Sequence, residues 1–273
     1  MDSVRNSILI PATNALTGFL NHAMEVKSEP IRIARAAYAL LYAGVDPQGI
    51  LFRKICDYLI ENKYEDNSWC DPQTTAYAIS VITKMHNQRY TVVNYIEWLE
   101  KSRHSSGGWG HHSRDQARIP ITAIILKVVP IDSGYNDYLW IKKEWMQELG
   151  NKTQLSYKAG FYLLTALSFE RNKVEDSVDK TIQHLLKDQN DDGGFAPWKN
   201  HPIGSDPWST GVVLWGLSKW IDRVDPAVIE RALHWLEVTQ LPSGYWPYHY
   251  LDEGTSYALI GAVSAMRAMA SRK

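Results

Sequence analysis

The chain has 273 residues, 45% of them hydrophobic, with 29 basic and 30 acidic side chains and a formal net charge of -1. That composition supports a sizeable core and excludes a disordered chain. The near-neutral balance excludes the electrostatic footprint of a nucleic-acid-binding protein.

The first amphipathic helix is expected within Asn6 to Met24. "RAAYALLYAG" from Arg35 is small and apolar on every side, as a buried helix should be, and predicts an inner helix over 31–43. Gly49 to Asn62 returns to apolar residues at i, i+3, i+4 and i+7 with charge opposite. "TTAYAISVIT" gives a second inner helix over 72–86, and Val92 to Lys101 a further amphipathic one. "ITAIILKVV" and "AGFYLLTAL" are weaker buried copies over 117–129 and 154–169, with Tyr135 to Leu149 between them. Val174 to Lys187 and Pro226 to Val238 are amphipathic; "TGVVLWGLSK" and "GTSYALIGAV" complete the inner set over 207–220 and 253–270. Asp46-Pro47, Asp71-Pro72, Asp206-Pro207 and Asp225-Pro226 each read as an N-cap aspartate with proline at the first helical position. No sustained period-2 run signals a strand. Twelve helices, alternately amphipathic and buried, predict an all-α fold, an (α/α)6 barrel or toroid of six helical hairpins spanning 1–273 as one domain.

Three stretches repeat helix, turn, glycine and aromatic: "WLEKSRHSSGGWG" from Trp98, "LLKDQNDDGGFAPW" from Leu185 and "WLEVTQLPSGYWPY" from Trp235. Gly108, Gly194 and Gly244 are expected at equivalent places. Asp191-Asp192 reads first as turn chemistry and second as an acid pair. These stretches, with "DPWSTGVVLWGL" and "TSYALIGAVSAM", resemble the QW-type repeats of squalene-hopene cyclases and the related repeats of protein prenyltransferase β subunits. The resemblance implies an α/α barrel of the terpene-cyclase type. It also implies carbocation chemistry started by the middle aspartate of a DxDD motif.

This chain departs from that motif. "DPQTTAYA" keeps Asp71 but has Gln73 at the acid position, and "DPWSTGVV" keeps Asp206 but has Trp208. "LDEGTSYA" puts Glu253 there, beside Asp252, with Leu251 for the first aspartate. The candidate acids are therefore Glu253 and Asp252 first, then Asp206 and Asp71, whose N-cap role also explains them. A proton donor needs a raised pKa, from burial or a neighbouring carboxylate. The family's zinc site is not matched either, since Trp208 and Gly254 stand where Cys and His should be. His104, His111 and His112 read as surface histidines, and neither metal nor cofactor is expected.

Aromatic usage is skewed toward 11 Trp and 15 Tyr against 5 Phe. Trp208, Tyr77, Tyr38, Trp215, Tyr257 and Tyr245 are candidate substrate-binding residues, because their π faces can stabilise a cation. The partner expected is a hydrophobic small molecule. Peripheral membrane attachment and a partner subunit stay open. The N-terminal stretch has no signal-peptide pattern, so a cytoplasmic protein is the expectation. Two other functions remain open. One is a glycoside hydrolase or lyase using Asp71, Asp206, Asp115 or Glu253; the other is a non-catalytic toroid binding a lipid or peptide.

Overall fold

Apolar periodicity and caps dictate where the helices start. In the computed structural model, which describes residues 5–85, 91–131, 134–151, 154–170 and 176–272, twelve α-helices and no strand occur among the described residues. They are α1 (Ile10–Glu25), α2 (Pro30–Ala43), α3 (Ile50–Glu61), α4 (Pro72–Lys84), α5 (Val93–Lys101) and α6 (Ile119–Val128). The rest are α7 (Tyr135–Leu149), α8 (Ser156–Glu170), α9 (Asp176–Asp188), α10 (Pro207–Leu217), α11 (Pro226–Thr239) and α12 (Leu251–Ser271). The alternation of amphipathic and buried helices holds throughout. His86, at the end of the second expected inner helix, and Val174-Glu175, at the start of an expected amphipathic one, lie outside the described residues.

Three of the four Asp-Pro signals cap a helix. Asp71 Oδ1 accepts Thr74 N at 2.9 Å, Asp206 Oδ1 accepts Ser209 N at 2.8 Å, and Asp225 Oδ1 accepts Ala227 N at 3.0 Å. Asp46 corrects the fourth. Its carboxylate accepts Gln48 N in a turn, and α3 starts later, from Gly49 as N-cap. The amino end also differs from expectation. A π-helical turn, Arg5–Leu9, precedes α1.

The helices fall into two compact units, residues 16–141 and residues 1–15 with 142–273. In the first, buried helices α2, α4 and α6 pack in chain order, with α3 against α2 and α4 and α5 against α4. In the second, α8 packs on α10 and α10 on α12, with α9 on α8 and α11 on both α10 and α12. The α8–α10–α12 contacts are backbone to backbone. A Cβ on Gly211 would collide with the Tyr257 carbonyl, one on Gly216 with the Gly160 carbonyl, and one on Gly261 with the Gly211 carbonyl.

Four turns share one hydrogen-bond pattern. Tyr64, His104, Asn190 and Leu241 each accept, at 2.8–3.1 Å, from the N–H three residues on, that of Asn67, Gly107, Gly193 and Gly244. Those four residues have φ of +68°, +99°, +91° and +86°, the left-handed region that glycine and asparagine tolerate. The equivalent glycines are therefore Gly107, Gly193 and Gly244, so the expected set of Gly108, Gly194 and Gly244 was out of register by one residue. Two residues beyond each of the four stands a buried aromatic: Trp69, Trp109, Phe195 or Trp246. Its backbone N–H donates to a threonine hydroxyl in the first turns of the following buried helix, namely Thr75, Thr122, Thr210 or Thr255, at 2.9–3.1 Å. The indoles of Trp69, Trp109 and Trp246 each donate to the carbonyl ten residues back, Leu59, Leu99 or Leu236.

Asp192 belongs to this machinery. It accepts from Gly194 N (2.9 Å), Ser205 Oγ (2.8 Å) and Trp235 Nε1 (3.1 Å), so it turns the corner and ties in the next amphipathic helix. Gln189 and Gln240 stitch the same turns, each donating to a turn carbonyl, Gly193 O or Gly244 O. Around Trp109 an ion pair does this work. Arg103 lies over the indole at 4.9 Å and 3.3 Å from the buried Asp137, which accepts Gly108 N.

Removing one threonine hydroxyl should be costly. Thr210→Val keeps the shape but strands the buried Phe195 N–H, an expected loss of about 1–3 kcal/mol. Thr210→Ser should retain most of the stability. Thermal melts of the two variants decide it: a Val variant as stable as the parent means the hydroxyl does not hold the turn.

Candidate functional site

The strongest constellation lies in the unit containing residues 142–273. Tyr157 and Phe161 sit one turn apart on α8, Trp208 in the first turn of α10, and Tyr257 in the second turn of α12. Their rings make one edge-to-face cluster. Trp208 stands 5.0 Å from Tyr157, 6.1 Å from Phe161 and 5.5 Å from Tyr257, and Phe161 and Tyr257 are 6.5 Å apart. Phe161 and Tyr257 are fully buried, whereas Trp208 and Tyr157 are half-buried, so the cluster has a closed base and an open edge.

Asp206 caps α10 two residues before Trp208 and is 6% exposed. Burial pushes its carboxyl above the ordinary carboxylate range. Hydrogen bonds from Ser209 and Trp208 and the charge of His201 act in the opposite direction and lose. That direction is the one a proton donor needs.

The last inner helix, expected over 253–270, begins at Leu251, so both Asp252 and Glu253 lie inside its first turn. Asp252 is buried and Glu253 half-buried. The start of α12 touches the start of α10: a Cβ on Gly254 would be 3.1 Å from Pro207 Cγ. The neighbourhoods of Asp206 and of Asp252-Glu253 are thus brought together. Tyr245 is half-buried, and its hydroxyl donates to Ala15 O at 2.8 Å. Burial first, and then the charge of Asp252, raise its pKa. Trp215, two turns along α10, is fully enclosed in the core.

In the unit of residues 16–141, Tyr38 and Tyr77 are buried and pair at 5.4 Å. Asp71 engages both carboxylate oxygens in capping, accepting Thr74 N and, at 2.6 Å, Thr74 Oγ1. Asp115 is held by Arg118 at 2.8 and 3.0 Å and by His111 N, which keeps its carboxyl far below the usual range. His111 and His112 are exposed, but His104 is half-buried, with Nε2 enclosed and without a hydrogen-bond partner. Sequence reasoning missed Tyr157 and Phe161. Their signal was the i, i+4 aromatic pair in "YKAGF", which points to a helix face and not to its neighbours on α10 and α12.

No protein-family model matches the chain. No curated protein matches it by sequence. Solved structures do match. A variant of the type II terpene cyclase MstE from Scytonema, in complex with geranylgeranyl dihydroxybenzoate as substrate, superposes with a TM-score of 0.78 at 13% identity, over 98% of this chain and 100% of that one. The same cyclase without ligand gives 0.75 at 14% identity, over 96% and 99%. A protein from Actinoplanes gives 0.66 at 12% identity, over 88% and 90%. This likeness shows the fold: the chain has the all-α toroid fold of a type II terpene cyclase.

Proposed function

We propose that the protein is an isoprenoid cyclase that starts carbocation chemistry with an acid other than the one its relatives in fold would use. The observation that carries this reading is Asp206: a buried carboxyl, raised in pKa, two residues from a four-ring aromatic cluster. The protonated carboxyl gives its proton to an alkene carbon of the substrate. The π electrons form the new C–H bond and leave a cation on the adjacent carbon. A second alkene attacks that cation, a ring closes, and loss of a proton ends the sequence. The faces of Trp208, Tyr157, Phe161 and Tyr257 stabilise the positive charge as it moves. The carboxylate left behind is stabilised by Ser209 N–H and by the amino end of α10. Asp252 and Glu253 are the neighbouring carboxylates to which the closing proton passes.

The reading is supported by the fold shared with a cyclase whose structure holds geranylgeranyl dihydroxybenzoate as substrate. The glycoside-cleaving alternative loses one of its candidate carboxylates, because Asp115 is bound to Arg118. Incubation with prenyl diphosphates, prenylated aromatic acids and squalene, followed by product analysis, tests the proposal. Cyclised products that form without added metal are expected. Tight binding of such lipids with no turnover across all three classes overturns the catalytic reading in favour of a lipid-binding toroid.

A further inference from the structure

A cavity of about 310 Å³ opens in the unit of residues 16–141, where the strap leading into α4 meets the end of α5 and the loop after Trp109. Cys70, Pro72, Trp98, Lys101, His111 and His112 line it, and no aspartate or glutamate is among the described residues of its wall. Of the nearby carboxylates, Asp115 is paired with Arg118, while Asp66 and Asp71 lie outside the wall, each oriented by neutral donors, Ser68 and Trp98 Nε1 for the first and Thr74 for the second. Lys101 is paired only loosely, 4.0 Å from Glu97, with both side chains well exposed. Such a pair holds its ammonium weakly. The amino end of α4 and the carboxyl end of α5 both meet the cavity, so their dipoles oppose each other and the side chains decide the sign. The half-buried Trp98 indole supplies an apolar surface. The Cys70 thiol is exposed.

We propose that this cavity binds a small anion with a flat apolar body, an aryl carboxylate or aryl phosphate. Lys101 takes its charge, the two imidazoles offer it ring N–H donors, the Trp98 indole is its platform and the Cys70 thiol stands at its edge. The volume is of the order found for small-molecule clefts. This site stands independently of the cyclase reading.

Cys70 reports on the site. Cys56 is fully buried, with its thiol pushed up to about 12, so alkylation of the folded chain reads Cys70, with Cys70→Ala as blank. The rate with iodoacetate relative to iodoacetamide should exceed that of free N-acetylcysteine by about threefold, the effect of one cation some 6 Å away in water. Added salt should erode that excess, and Lys101→Gln should remove most of it. Phenyl phosphate and benzoate should each slow labelling by iodoacetamide, and the more protective of the two identifies the preferred head group; uncharged benzamide should not protect. A ratio equal to that of free cysteine, protection by benzamide equal to that by the anions, or full protection retained in Lys101→Gln overturns the proposal.

Discussion

Asp206→Asn is expected to abolish cyclisation while leaving the fold at or above its present stability at neutral pH. Asparagine caps a helix about as well as aspartate, so the bond from Ser209 N survives. What disappears is the acidic proton, and loss of a general acid lowers turnover by about 10²–10⁴-fold. The stability sign follows from the raised pKa. Between the ordinary carboxylate value of 3.8 and its higher folded value, the folded chain binds more protons than the unfolded one. Stability therefore falls as pH rises through that window, and the full cost of a buried charge applies above it. The asparagine variant lacks that cost. Its melting temperature should equal or exceed the parent's at pH 7, and the gap should close as pH drops toward 4. If Glu253→Gln abolishes turnover while Asp206→Asn retains it, the acid is Glu253 and the assignment to Asp206 is wrong.

Gly211→Ala is expected to cost more than any surface change in the molecule. A Cβ there would meet the Tyr257 carbonyl and lie 2.7 Å from Ala258 N, both in helix backbone. Neither can rotate away, so α10 and α12 must separate. Gly211 Cα also faces Gly261, and Gly216 meets Gly160 on α8, so α10 is held closely on its other side and has little room to retreat. Overpacking of this kind costs about 1–3 kcal/mol or more. The same movement shifts Trp208 relative to Tyr257 and so disturbs the ring cluster. Thermal denaturation should show a drop of several degrees, on the scale of about 2–4 °C per kcal/mol for a chain of this size. Gly18→Ala is the control, because a Cβ there meets nothing within 4 Å. Equal melting points for the two variants would mean that the backbones of α10 and α12 can part freely.

The twelve helices were legible because their signals are local: a 3.6-residue apolar period, proline in the first turn and aspartate caps. Where a distant partner decides, the sequence misleads. The helix expected over 207–220 leaves α geometry after Leu217, and Trp220 takes a non-helical φ of -122°. Its indole reaches across to the Leu163 carbonyl at 2.9 Å, a bond invisible from neighbouring residues. The turn at Asn67 escaped notice because asparagine fills the left-handed position that glycine fills elsewhere. Gly108 and Gly194 were matched to Gly244 in place of Gly107 and Gly193 because "DGGF" has two glycines where "PSGY" has one. Asp206 was legible as a cap. Its unusual acidity was not, since that depends on how deeply the surrounding helices enclose it.

The four matching turns also bear on how the chain acquires its structure. Each joins partners close in sequence: between six and fifteen residues from aromatic N–H to threonine and, in the three turns that carry a tryptophan, ten from indole to carbonyl. Closing loops that short costs little chain entropy, and local contacts of this kind speed folding. Each turn can therefore form with its own flanking helices before the rest of the chain is in place. A newly made segment such as Ile50–Lys84 carries within itself what is needed to shape its corner, so assembly can proceed hairpin by hairpin as the chain is synthesised.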